Sequence, residues 1–237
     1  MSDVIESAHG RRTRPVAESR WSNRADALRI TEIFCSLQGE ANDAGRVTTF
    51  VRLTGCPLRC HYCDSAYAFH GGEWQKIDDI LDQVSTLGAD YVCVTGGEPL
   101  AQPNVFSLIR RLCDAGYRVS VETAGALDIR PVDTRASRIV DIKTPASGEA
   151  TRNRWDNIEA LTPHDQLKFV ICSRTDYEWA RARLTEITVP GGTSVWFSPS
   201  AGEITARDLA NWIVADRLGV KFQMQLHKLL WGDAPGY

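Results

Sequence analysis

Short β-type runs alternate with amphipathic helical segments from Arg29 onward, and that alternation limits what the chain can fold into more than any other feature. A strand, a helical crossover and a second strand in the same direction build a parallel sheet wrapped by helices. The strand candidates are the runs 29–34, 47–53, 91–95, 118–122, 138–143, 167–172, 194–198 and 221–226. Ile77, Ile80, Leu81, Val84 and Leu87 recur at helical spacing, as do Val105, Leu108, Ile109 and Leu112 before a stop at Gly116, and two further helices are expected near 176–185 and 205–217. Residues 1–27 are rich in Arg, Ser, Glu and Ala without apolar periodicity and read as a flexible N-terminal extension, which leaves 28–237 as one domain. A length of 237 residues with 43% hydrophobic residues is enough for one substantial core.

In parallel sheets, ligands gather where the loops leave the C-terminal ends of the strands. The chemically distinctive residues fall there. Cys56, Cys60 and Cys63 form a C-x3-C-x2-C cluster after the run 47–53. Three thiolates are one short of a closed zinc or iron–sulfur site, so a metal centre built on them keeps one position open. The spacing also admits a zinc knuckle completed by His61, Asp64 or His70, or three thiols without metal. Cys35, Cys93, Cys113 and Cys172 lie in apolar runs and read as small buried hydrophobes. Seven cysteines without the spread of a disulfide framework, no apolar run long enough for a bilayer and no signal-peptide core point to a soluble, cytoplasmic protein. A formal charge of −3 without a long basic run argues against a nucleic-acid partner and for a small molecule.

Gly96-Gly97-Glu98-Pro99 follows the run 91–95, where two glycines allow close approach of backbone to a ligand and Glu98 offers an acceptor for an ammonium group. Together with the cysteine cluster it resembles the GGEP element of radical S-adenosylmethionine (SAM) enzymes. The segments 32–40, 50–56, 95–100, 122–125, 166–170 and 225–228 are similar, in order and spacing, to the 7-carboxy-7-deazaguanine synthase family from about residue 29 onward. The resemblance implies an α/β fold, an incomplete βα barrel of the radical SAM type. It also implies a [4Fe-4S] cluster, SAM and Mg²⁺, and the ring contraction of 6-carboxy-5,6,7,8-tetrahydropterin to 7-carboxy-7-deazaguanine with loss of ammonia. A homodimer and an electron donor such as flavodoxin or ferredoxin follow from the same likeness.

Carried over residue by residue, the resemblance gives the cluster to Cys56, Cys60 and Cys63, and Mg²⁺ to Ser65, where the family usually has threonine. Leu37, Gln38, Gly39, Arg52, Thr95, His227 and Tyr237 match substrate positions; Gly97, Glu98, Glu122, Asp141, Lys143 and Ser198 match SAM positions. Arg52 is notable in an otherwise apolar run, since its fork suits a carboxylate. The chain departs from the family pattern at Asp141-Ile142-Lys143, where Ser-Pro-Lys is usual, and at Phe197-Ser198-Pro199-Ser200.

Overall fold

The computed structural model describes residues 26–232. The expected extension therefore lies outside the described residues except for its last two, and Ala27 already belongs to the first strand, β1 (Ala27–Leu37). β1 forms a hairpin with β2 (Val47–Leu53) and pairs on its other side with the short β3 (Glu73–Lys76), both antiparallel. From β2 onward every neighbouring pair is parallel: β4 (Tyr91–Gly96), β5 (Arg118–Thr123), β6 (Ser137–Ile142), β7 (Gln166–Ile171), β8 (Ser194–Pro199) and the two-residue β9 (Lys221–Phe222). The order β3-β1-β2-β4-β5-β6-β7-β8-β9 is that of an open sheet whose ends do not pair with each other among the described residues.

Helices α1 (Ile77–Leu87), α2 (Val105–Asp114), α3 (Arg174–Glu186) and α4 (Ala206–Ala215) cover one face of this sheet. Ser173 and Thr205 start α3 and α4 by accepting from the N–H of Asp176 and Asp208. The crossovers from β5 to β6 and from β6 to β7 contain no α-helix, only irregular chain and 3-10 turns. The barrel is shortened at these two places.

Alternation along the strands decides which side is which. Val51, Leu53, Val92, Val94, Val121, Val140, Leu167, Phe169 and Phe197 pack against Ile80, Val84, Leu108, Leu112, Tyr177 and Leu209 of the helices in one continuous core. The intervening residues Phe50, Arg52, Thr95, Glu122, Asp141, Lys168 and Ser198 face the other way and line a cavity. The loop 38–46 stretches under that cavity from β1 toward the far strands, with Ala41 N–H donating to Gln223 Oε1 at 2.6 Å and Asn42 N–H to Gln166 Oε1 at 2.8 Å.

The expected last strand ends early because the chain turns away after Phe222 to meet this loop. Gln225 reaches Glu40, and the short α5 (Leu226–Trp231) follows. Among the described residues no helix is long and apolar enough to cross a membrane.

One buried ion pair ties β6 to the chain just before β7. Arg138 and Asp165 are both buried, and Asp165 also accepts from the N–H of Arg138 and Thr162, each at 2.7 Å. Burial pushes the Asp165 carboxyl up, but its hydrogen bonds to Arg138 and Thr162 outweigh this and hold its pKa below the usual value. Asp165→Ala strands a buried guanidinium and is expected to cost about 3–5 kcal/mol in denaturant unfolding. A loss under about 1 kcal/mol contradicts the role given to this pair.

Candidate active site

A cavity of about 800 Å³ opens at the C-terminal ends of the parallel strands. That volume lies within the range of small-molecule sites. Its wall on the β2 side is the cysteine loop, with Cys56, Cys60, Cys63 and Ser65 all contributing to the lining. The three cysteines are half-buried and carry no disulfide.

Two glycines let this loop sit where it does. Gly96 has φ of 153°, and a Cβ there would stand 2.4 Å from the Leu53 carbonyl oxygen. A Cβ on Gly97 would stand 2.4 Å from the Gly55 carbonyl oxygen and 3.0 Å from Cys56 Cβ. The close approach of β4's end to the cysteine loop therefore requires residues without side chains.

Glu98 is fully buried and does not line the cavity. Its carboxylate accepts from Leu100 N–H at 2.9 Å and Ala124 N–H at 2.6 Å, and Thr123 Oγ1 stands 2.9 Å from both oxygens. It clasps the ends of β4 and β5 together. Burial raises its pKa despite these donors.

The concave face carries paired charges. Lys168 is bonded to Glu40, which also accepts from Gln225 Nε2 at 2.8 Å. Glu122 accepts from Thr95 Oγ1 at 2.9 Å and from Gln38 Nε2 at 3.4 Å. Burial, reinforced by the Glu40 carboxylate, lifts the Glu122 pKa, whereas at Glu40 the Lys168 ammonium overcomes burial and lowers it. Arg52 gives Nε to Glu32 at 2.6 Å, and its terminal nitrogens make no hydrogen bond to another described residue. Asp141 pairs with Lys143 at 2.9 Å through one oxygen, while its other oxygen is buried without a hydrogen-bond partner.

A family model of the radical SAM superfamily matches residues 50–143. The 7-carboxy-7-deazaguanine synthase of Koribacter versatilis is 42% identical over 223 residues, spanning 86% of this chain and 97% of that protein. The chain belongs to the 7-carboxy-7-deazaguanine synthase family. The relative of the same name from Chlorobaculum tepidum is 43% identical over 213 residues, 88% of this chain and 97% of that one. A crystal structure of QueE from Escherichia coli shares the fold, with a TM-score of 0.67 at 22% identity over 85% of this chain and 95% of that chain.

Most residues that match the synthase family's site converge on the one cavity: Leu37, Gln38, Arg52, Thr95, Gly97, Glu122, Asp141, Lys143, Ser198 and His227 line it with the cysteines and Ser65. Gly39 lies beneath, where a Cβ would meet His227 Nδ1 at 2.2 Å, so it seats the histidine. Tyr237 lies outside the described residues. Sequence reasoning missed Glu32, Tyr62 and Lys168 as lining residues. Lys168 and Glu32 had the same signal as Arg52, a charge inside a β-type run; Tyr62 had none.

The residues fit the cluster that radical SAM proteins hold. Burial pushes the Cys56 thiol up to about 11 and raises Cys60 as well, so thiolates here need a cationic partner such as iron. Among the described residues no three His, Cys, Asp or Glu side chains stand close enough to share a single ion. A cubane bonds each thiolate to a different iron and does not ask for that.

Gly97→Ala is expected to push the cysteine loop off β4 at a cost of about 1–3 kcal/mol and to lower the iron and sulfide retained after anaerobic reconstitution. Gly219→Ala, at a glycine with nothing within 4 Å of its Cβ position, should load normally. Equal iron in both variants would contradict the close approach inferred for Gly97.

Proposed function

We propose that this chain is a carbon–nitrogen lyase that converts 6-carboxy-5,6,7,8-tetrahydropterin to 7-carboxy-7-deazaguanine with release of ammonia, a step toward queuosine and related deazapurines. The observation that carries the reading is the union, in one cavity, of the open three-cysteine loop with a polar concave wall holding Arg52, Gln38 and Glu122. When bound at Cys56, Cys60 and Cys63, the [4Fe-4S] cluster and SAM supply a carbon-centred radical able to take a hydrogen from the substrate's C6.

The chain's own residues bind, orient and shield. Arg52, held from one edge by Glu32 and flanked by the Phe34 and Tyr67 rings, presents its free nitrogens to the substrate carboxylate. Gln38 and Thr95, both anchored on Glu122, face the pterin ring, with His227 seated against Gly39 next to Gln38. Gly97, Asp141, Lys143 and Ser198 line the side assigned to SAM. Glu98 serves that side by holding the loops in place.

Ser65 is the ligand proposed for Mg²⁺, which asks for oxygen donors; its hydroxyl donates to Asp64 Oδ1 at 3.1 Å. The reading includes a homodimer and a one-electron donor of the flavodoxin or ferredoxin type.

The test is an anaerobic assay of reconstituted protein with SAM, a strong reductant, Mg²⁺ and the pterin, followed by mass spectrometry for 5′-deoxyadenosine and 7-carboxy-7-deazaguanine. Both are expected. Cys56→Ala should lose both products. Arg52→Ala should keep its cluster but lower kcat/KM roughly tenfold to a hundredfold, as loss of about 1.5–3 kcal/mol of charge-assisted bonding requires. Deoxyadenosine without the deazaguanine would reject the substrate, and neither product from cluster-loaded protein would reject the reaction class. Chelation of Mg²⁺ is expected to slow turnover reversibly in the unaltered protein, with Ser65→Ala responding little to added Mg²⁺. An unchanged Mg²⁺ response in Ser65→Ala would remove Ser65 as the ligand.

A further inference from the structure

The cysteine loop is fastened to the chain that follows β6. The N–H of His61 donates to the Ser147 carbonyl at 3.0 Å, and that of Arg59 donates to Glu149 Oε1 at 2.6 Å. The near end of this stretch is fixed too, because the Asn153 side chain accepts from the Lys143 N–H at 2.8 Å and donates to the Lys143 carbonyl at 2.9 Å. Lys143 cannot move relative to Cys60 without breaking several of these bonds. Its side chain is buried, with Nζ 2.9 Å from Asp141 Oδ2 and 6.0 Å from the centroid of the ring of Tyr62, the residue just before Cys63.

We propose that this fixed Lys143–Asp141 pair tunes the reduction potential of the cluster, the ammonium easing its reduction and the carboxylate opposing it. The inference rests on the reading that Cys56, Cys60 and Cys63 hold a [4Fe-4S] cluster. Uptake of one electron makes the cluster more negative, so a positive charge nearby stabilises the reduced form and a negative charge destabilises it. Burial keeps both charges from being screened as surface charges are. Asp141 and Lys143 line the same cavity as Cys56, Cys60 and Cys63, so both charges face the space next to the cluster's ligands. Aspartate at 141 therefore sets this chain's cluster lower than an uncharged residue would.

The test is a potentiometric titration of the reconstituted protein without SAM, using dithionite and redox mediators with electron paramagnetic resonance detection. Leaving out SAM keeps a lost SAM contact from producing the shift. Asp141→Asn is expected to raise the potential and Lys143→Met to lower it, with the double variant between the two. Unchanged potentials, or shifts of the same sign in both single variants, as simple loosening and water entry would give, overturn the proposal. If Lys143→Met fails to load iron, the sign of the Asp141→Asn shift decides alone. A wild-type protein that takes up no [4Fe-4S] cluster defeats the site reading itself, an outcome distinct from a loaded protein whose variants do not shift.

Discussion

The hydrophobic core of this protein lies on the convex side of its sheet, between strands and helices, and the concave side is left polar. That division is set by the two-residue period of a strand. Valines, leucines and phenylalanines at one parity bury against α1 to α4, which supplies the driving force for folding. Residues of the other parity are then free to be arginine, glutamate, aspartate and lysine, provided that each charge finds a partner. Glu32 with Arg52, Glu40 with Lys168 and Asp141 with Lys143 meet that condition. A single-residue slip of any parallel strand would exchange the two faces, so register and site are specified together.

The openness of the sheet has its own consequence. With two crossovers lacking an α-helix and, among the described residues, no pairing between the end strands β3 and β9, the concave wall would lie open at its base. The loop 38–46 fills that gap, fixed by Gln166, Gln223 and Gln225 from the far side of the sheet. The same loop supplies Gln38 and Glu40 to the cavity, and Gly39 makes room for His227. Closing the fold and completing the site are thus performed by one segment.

Much of this was legible in the sequence because the signals were local. β2 begins and ends at the expected residues, and α1 and α2 follow their apolar spacing. The short edge strand β3, written Glu73-Trp74-Gln75-Lys76, was missed because an edge strand half in water needs no apolar alternation. The expected strand at 221–226 shrank to two residues because Gln223 and Gln225 are drawn to the loop beneath the cavity, a long-range demand that no local pattern records. Cysteine spacing and the glycine pair were readable for the same reason as the helices. The bonding of Glu98 was not: its carboxylate is held by Thr123, Ala124 and Leu100, a set of partners that only the folded arrangement of β4 against β5 brings together. The structure brings the cysteines and Arg52 together in one cavity and pairs the charges along its wall.

The central claim is that the cavity brings the cysteine loop and the concave polar wall within reach of one substrate atom. Transfer of deuterium from pterin labelled at C6 into 5′-deoxyadenosine, read by mass spectrometry under anaerobic turnover, measures this directly. The account predicts deoxyadenosine carrying the label in step with product formation. Unlabelled deoxyadenosine accompanying product would contradict it, because hydrogen would then be reaching deoxyadenosine from somewhere other than the position this chamber holds.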